Sequence, residues 1–255
     1  MPISLIAALF LLIATAYASV GFGGGSSYNA LLVLSGMDFH AIPAIALSCN
    51  ILVVSGGVYH FSKAGHLDFR VLMPFVILSV PMAWLGGHLQ VSEHAFIGIL
   101  GLALLATSMQ MAWNALHTPV RQPEREFKPW LIGLPAGGFI GLVAGVAGIG
   151  GGIFLAPLLY LVGWAHPRKI AALSSGFILV NSIAGLAGQL TKPGLLSPAG
   201  QWLASWPLFL AVIAGGQIGS RLGTRVLPET WVHRLTALLV FYVAVRLLLK
   251  WVELT

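Results

Sequence analysis

Two short glycine runs are the most chemically suggestive residues in the chain, Gly21-Phe22-Gly23-Gly24-Gly25 and Gly148-Ile149-Gly150-Gly151-Gly152. Each is followed at once by a short apolar stretch that reads as a new helix. The unpaired N–H groups and positive dipole end of that helix therefore sit beside backbone carrying no side chains. Such a terminus attracts an anion. Small hydrogen-bonding groups lie nearby: Ser26, Ser27 and Asn29 follow the first run, Ser48, Cys49 and Asn50 fall in the next apolar stretch, and Ser174, Ser175 and Asn181 occupy the matching stretch of the second half. Hydroxyl and amide groups donate to oxyanion oxygens without supplying a fixed charge. Together with Gly23, Gly24, Gly25, Gly150, Gly151 and Gly152 they form the candidate substrate-binding set, a neutral, dipolar site for a small anion.

Plainer readings stand beside this one. A single glycine in a membrane helix often only permits close packing, and Gly86, Gly87, Gly215 and Gly216 read that way. Three consecutive glycines do more, because they break a helix. Ser48, Ser174 and Ser175 can bond back to the preceding turn, and Cys49 can be a small buried hydrophobe. His60, His88 and His166, with Trp84, Trp113, Trp130, Trp202, Trp206 and Trp251, lie near segment ends and read as interfacial anchors. The Gly21–Ser26 run has no following Lys-Ser/Thr, no preceding strand and no acidic residue about 20 positions on, which excludes a nucleotide loop. No Asp, Glu, Lys or Arg falls at mid-depth in any apolar stretch, so a sodium cage or carboxylate proton relay is hard to build. Nor do a nucleophile, a base and an orienting group occur together there, so an enzyme is disfavoured, with no catalytic residues, metal or cofactor expected.

The elements that must position these residues follow from composition. The 255 residues are 58% hydrophobic and only 8% charged, with a mean hydropathy of +0.92, where a soluble domain has roughly a quarter of its residues charged. Apolar runs recur along the whole length, and a bilayer core needs ~20 residues per spanning helix. The 13 Lys and Arg residues are scattered one to three at a time between runs and form no stripe, which argues against nucleic acid as a partner despite a pI near 9.8. The lone Cys49 excludes an internal disulfide or a cysteine metal cluster. The run Ile3–Ala18 ends in Ala16-Tyr17-Ala18 like a cleavable signal, but Met1-Pro2 supplies no basic region ahead of it, so it is read as structure.

The glycine runs belong to an internal repeat. At the same offset Leu31/Leu158, Leu32/Leu159, Leu34/Leu161, Gly36/Gly163, Ala44/Ala171, Ser48/Ser175, Ile51/Ile178 and Ser55/Ser182 coincide, and Leu85-Gly86 and Leu89 resemble Ile218-Gly219 and Leu222 at a slightly longer one. Residues 1–117 form the first repeat, 118–129 a polar linker and 130–255 the second repeat. Apolar segments are predicted at 3–20, 26–37, 41–61, 70–90 and 94–116, then at 130–147, 152–164, 168–190, 202–226 and 231–252. The second segment of each half is too short for a core about 30 Å thick at about 1.5 Å per residue. With the segment before it, it forms a Gly-broken pair, either a re-entrant hairpin or two thin spans. If each pair enters and leaves on one side, Lys63, Arg70, Arg121, Arg125, Lys128, Arg168, Lys169, Arg221, Arg225 and Arg234 share a face, leaving only Lys192, Arg246 and Lys250 opposite. The positive-inside rule prefers that split. The expected fold is an all-α polytopic membrane bundle of two inverted repeats, each a Gly-broken pair plus three full spans, in a bacterial-type inner membrane, with termini outside and the linker cytoplasmic. A lipid bilayer and a small anionic substrate are the expected partners, and the oligomeric state stays open.

The run Gly148-Ile-Gly-Gly-Gly-Ile-Phe-Leu-Ala-Pro157-Leu-Leu, then Gly163 and Lys169-Ile-Ala-Ala-Leu-Ser-Ser175, resembles the duplicated signature of the sulfite exporter TauE/SafE family. The first half carries the same pattern with Ala30 in place of the proline. The resemblance spans nearly the whole chain and implies a transporter of about eight membrane segments for sulfite or a related organosulfur or small organic anion. The expected function is a secondary transporter (exporter) of a sulfur oxyanion by alternating access. An anion channel, or a carrier of small carboxylates, is the alternative. The charge count predicts that a reporter fused after Thr255 registers outside, while labels placed between His117 and Pro129 are reached from the cytoplasm. A cytoplasmic C-terminus overturns the inverted arrangement.

Overall fold

The computed structural model of the chain describes residues 2–89, 92–117, 129–161, 164, 167–192 and 199–223, then 238, 241–242, 244–245, 248–249 and 251–253. Its helices are α1 (Ile3–Ser19), α2 (Gly25–Leu34), α3 (Ile42–Lys63), α4 (Phe69–His88), α5 (Glu93–His117), α6 (Pro129–Ala147), α7 (Gly152–Leu161), α8 (Pro167–Leu190), α9 (Ala199–Ala204) and α10 (Trp206–Gly223). Among the described residues every regular element is helical. Ile42–Lys63, Phe69–His88, Pro129–Ala147 and Arg168–Leu190 are each long and apolar enough to cross a membrane. Large apolar side chains such as Leu12, Leu131, Phe139 and Leu203 face outward, as lipid-facing positions require. This is an all-helical, multi-pass membrane architecture.

The observed helices follow the expected segments closely through residue 190. The stretch expected as one helix over 202–226 instead begins with α9, is interrupted at Ser205, and continues as α10. Pro207 explains the interruption. It has no N–H for the preceding helix and fits the first turn of the next, while Leu208 N–H bonds to the Ser205 carbonyl. The linker 118–128, the cations Arg121, Arg125, Lys128, Arg225, Arg234, Arg246 and Lys250, the positions Gly163 and His166, and most of the segment expected at 231–252 lie outside the described residues.

The helices exchange partners between the two sequence halves. Helix α1 packs along α10 and α4 along α6, so the first helix of each half lies on a late helix of the other. Helices α3 and α8, the most buried of the spans, pack against each other at the centre, flanked by α10 and α4 respectively. Glycine sets the closeness of the α4–α6 contact. A Cβ on Gly137, Gly141 or Gly145 of α6 would overlap the carbonyl of Phe75, Ser79 or Ala83 of α4. These glycines recur every fourth residue and so line one face of α6. On the α1–α10 contact Gly215 and Gly219 take the same role against the Leu11 and Thr15 carbonyls.

Replacing Gly141 by Val inserts a branched side chain where α4 backbone already sits. Overpacking of this kind costs about 1–3 kcal/mol. The expected outcome is a lower Tm in detergent for Gly141→Val, with Leu131→Ala at an outward-facing position close to wild type. Equal melting of both variants would show that the α4–α6 contact is loose.

Candidate functional site

Each glycine run begins as a helix terminator. At the end of α1, Gly21 takes φ 82°, Phe22 N–H bonds to the Tyr17 carbonyl and Gly21 N–H to that of Ala18, the two bonds of a Schellman cap. At the end of α6, Gly148 takes φ 68° and Ile149 N–H bonds to the Ala144 carbonyl, the equivalent bond in the second half. Gly24 (φ 86°) and Gly151 (φ 79°) then precede α2 and α7 in the left-handed region, where glycine is the cheap choice. The loops are not copies, however. Gly150 has φ 74°, whereas its counterpart Gly23 stays out of the left-handed region.

Both loops are buried and each is braced by the other half. Asn29 Nδ2 donates to the Ala147 carbonyl at 2.6 Å, with the Gly148 carbonyl at 3.2 Å. Ser175 Oγ donates to the Gly21 carbonyl at 2.7 Å, sharing its proton with the Ala171 carbonyl at 2.8 Å. These bonds satisfy helix-end carbonyls that hydrocarbon would leave bare. The first turn of α3 presses on Gly148 through Pro43, and α8 presses on Gly21 through Ala171, each within 2.7 Å of where a Cβ would stand. Gly21 and Gly148 are thus close-approach glycines as well as caps.

Asn50, fully buried on α3, lies between the two loops. A Cβ on Gly23 would overlap its Oδ1, and one on Gly25 its Nδ2, while its Nδ2 is also 3.0 Å from where a Cβ on Gly150 would stand. Neither end of the Asn50 amide has a hydrogen-bond partner. Ser182 Oγ, also unpartnered and buried, is 2.6 Å from that same Gly150 position. Ser174 Oγ and Tyr28 Oη are buried and unpartnered as well, the Tyr28 hydroxyl 3.0 Å from the Cβ position of Gly24. A buried polar group without a partner is costly and rare. Several of them around two helix starts form a cradle of unused hydrogen-bonding capacity.

Among the residues singled out in the sequence, the structure brings Gly23, Gly25, Asn50 and Gly150 into one place. Gly24 and Gly151 shape the turns, and a Cβ on Gly152 would overlap Ile178. Ser48 Oγ donates to the Ala44 carbonyl at 2.8 Å and accepts from Trp202 Nε1 at 3.0 Å, so its proton is committed. Ser27 Oγ is paired with the Tyr17 hydroxyl at 2.9 Å. Ser26 and Cys49 are buried. Asn181 Nδ2 bonds one turn back to the Phe177 carbonyl. Ser182, Tyr28, Tyr17 and Trp202 are the residues that sequence reasoning missed. Ser182 alone carried a signal, its coincidence with Ser55 in the repeat.

Apart from Ser48/Ser175 and Ser55/Ser182, the hydrogen-bonding groups are not duplicated with the loops. Ser26, Ser27, Tyr28, Asn29 and Asn50 correspond in the repeat to Ile153, Phe154, Leu155, Ala156 and Phe177. In the other direction, Ser174 and Asn181 correspond to Leu47 and Val54. Among the described residues no carboxylate, imidazole, ammonium or guanidinium is buried, and no group of His, Cys, Asp and Glu could hold a metal ion.

A multi-pass helical bundle with a buried, uncharged polar cradle between broken helices has the architecture of a membrane transporter. Residues 6–247 match the sulfite exporter TauE/SafE family, and the chain belongs to it. It is 35% identical over 246 residues to a probable membrane transporter protein of Sinorhizobium fredii, covering 95% of this chain and 97% of that one. It is 24% identical over 223 residues to a probable membrane transporter protein of Methanocaldococcus jannaschii, covering 82% of each. No solved structure matches the chain.

The braces give a stability prediction. Asn29→Ala leaves the end of α6 with a buried, unpaired carbonyl and should cost about 1–3 kcal/mol. Ser175→Ala does the same at the end of α1, where a neutral bond is worth about 0.5–1.5 kcal/mol. Denaturation in detergent micelles checks both, and unchanged midpoints would mean that the loops hold without them.

Proposed function

We propose that this transporter exports a small anion, with sulfite or a related organosulfur or sulfur oxyanion as its substrate, and that the anion binds between the two glycine loops. The observation that carries the reading is Asn50, buried between Gly23, Gly25 and Gly150 with both ends of its amide unpartnered. Around it, the first N–H groups of α2 and α7 and the hydroxyls of Ser182, Ser174 and Tyr28 supply donors. Gly24, Gly151 and Gly152 shape the loops, and Ser26, Ser27, Asn29, Ser48, Cys49, Ser175 and Asn181 form the surrounding shell. The second half contributes the apolar wall of Ile153, Leu155, Phe177 and Ile178. Family membership supports the sulfur oxyanion, and the absence of a buried countercharge among the described residues supports binding by dipoles.

Alternating access about this point is the proposed mechanism, in a bacterial inner membrane with inverted repeats and outward termini. Because α1 packs on α10 and α4 on α6, the moving bodies in this proposal are α1, α3 and α10 on one side and α4, α6 and α8 on the other. Each contains helices from both halves.

Counterflow in reconstituted vesicles tests the reading. Preloaded vesicles should transiently accumulate labelled sulfite above equilibrium if the protein is a carrier, whereas a channel gives no overshoot. Gly23 and Gly25 lie outside the left-handed region, so alanine suits their backbone while its methyl displaces the Asn50 amide. Gly23→Ala and Gly25→Ala should therefore lose at least about tenfold in apparent affinity, equivalent to one charge-assisted hydrogen bond, while remaining monodisperse on gel filtration. Wild-type affinity in both variants would place the site elsewhere.

A further inference from the structure

The surplus around the glycine loops is not made of donors alone. Asn50 presents an NH2 group and a carbonyl oxygen side by side, both buried and both unpartnered. This holds whichever end is taken as nitrogen, because an amide always offers one of each. A substrate made only of acceptor oxygens, such as a fully ionised oxyanion, satisfies the NH2 group, the Ser182 and Ser174 hydroxyls and the helix N–H groups. It leaves the Asn50 carbonyl facing negative oxygens with nothing between them. A substrate that keeps one O–H or N–H closes that last bond.

Charge points the same way. The titratable groups buried on the elements packed around Asn50 are Tyr17 on α1, Tyr28 on α2 and Cys49 on α3, all neutral in their ordinary state. On α8 and α10 the charged residues are Arg168, Lys169 and Arg221, with His60 and Lys63 at the far end of α3, and among the described residues none of these is buried. With dipoles as the only compensation, the cost of desolvating an ion rises with the square of its charge. One negative charge is therefore strongly preferred to two.

We propose that the site selects singly charged oxyanions that retain a hydrogen-bond donor, and that Asn50 is the residue that reads the donor. The chemical class is the protonated monoanion of a tetrahedral or pyramidal oxyacid, hydrogen sulfite being one member. This rests on the anion-site reading above, and deepens it by naming the protonation state that binds. Asn50 acts as both partner and filter, accepting from the substrate O–H and donating to its oxygen.

Methylphosphonate and methanesulfonate test this directly, since below the second ionisation of methylphosphonate the two have the same shape and the same charge. They differ by one proton. Competition against labelled sulfite counterflow by the full-length reconstituted protein should show methylphosphonate binding about tenfold more tightly, the factor one hydrogen bond supplies. That advantage should vanish as pH rises through its second ionisation, and Asn50→Leu, of similar volume, should bring the two affinities together. Should Asn50→Leu fail to fold, the wild-type ratio decides alone. Equal competition by the two anions in the wild-type protein overturns the donor requirement and leaves the anion site standing. No competition by either, with no sulfite counterflow, overturns both.

Discussion

A peptide group inside a bilayer has no water to bond with, so every break in a helix at that depth must be answered by the protein itself. The fold places two such breaks face to face. Left-handed glycines end α1 and α6, each followed by an N–H bonded five residues back (Phe22 to Tyr17, Ile149 to Ala144), and carbonyls left over at those ends are taken by side chains from the opposite half, Asn29 in one case and Ser175 in the other. Placing α3 and α8 at the centre suits this requirement, because α8 delivers Ser175 and the two helices press on the loops through Pro43 and Ala171, while α2 delivers Asn29. What the protein answers for its own backbone it leaves open at Asn50 and Ser182, whose polar atoms have no internal partner.

Equivalent carbonyls met by non-equivalent donors show how the two halves have diverged. In the repeat Asn29 corresponds to Ala156, while Ser175 corresponds to Ser48, whose hydroxyl bonds within α3 and to Trp202. The left-handed conformation is held in common at Gly21/Gly148 and Gly24/Gly151, though not at Gly23/Gly150. Most of the polar side chains are not held in common, with Ser48/Ser175 and Ser55/Ser182 as exceptions. The space between the loops is therefore lined unequally, by Asn50 and Tyr28 of the first half and by Ser174 and Ser182 of the second, beside the apolar Ile153, Leu155, Phe177 and Ile178.

Much of this was legible in the sequence, and the reasons are specific. Helix lengths and the two breaks follow from hydropathy and glycine, which act locally. The direction of the Ser48 and Ser175 hydroxyls does not, because a serine in a helix has the preceding turn always within reach, and only the packing shows that Ser48 also receives Trp202. Trp202 itself reads as an interfacial anchor by position and is in fact bonded to a residue 154 positions away in sequence. Tyr28 was invisible for the same reason, since nothing local marks a tyrosine as stacked on Phe10 with its hydroxyl left unpartnered, whereas Ser182 was marked only by its coincidence with Ser55 in the repeat. The break at Ser205 was hidden by hydropathy that runs unbroken across it, although Pro207 was in plain view.

The partner exchange also constrains how such a protein can move. If each sequence half were a rigid body, sliding one past the other would shear both the α1–α10 and the α4–α6 contacts, where glycines bring backbones together and a Cβ has no room. Packed interfaces of that kind switch as units and do not deform continuously. Motion is cheaper where contact is made through side chains, as at α3 and α8, where Gly57 faces the Ser175 hydroxyl and Gly185 faces the Leu47 side chain. The α4–α8 contact, by contrast, is backbone on backbone at Gly87 and Gly188. Covalent continuity and mechanical unity therefore divide the molecule along different lines, and the glycine loops, each belonging to one half but braced by the other, lie where those lines cross.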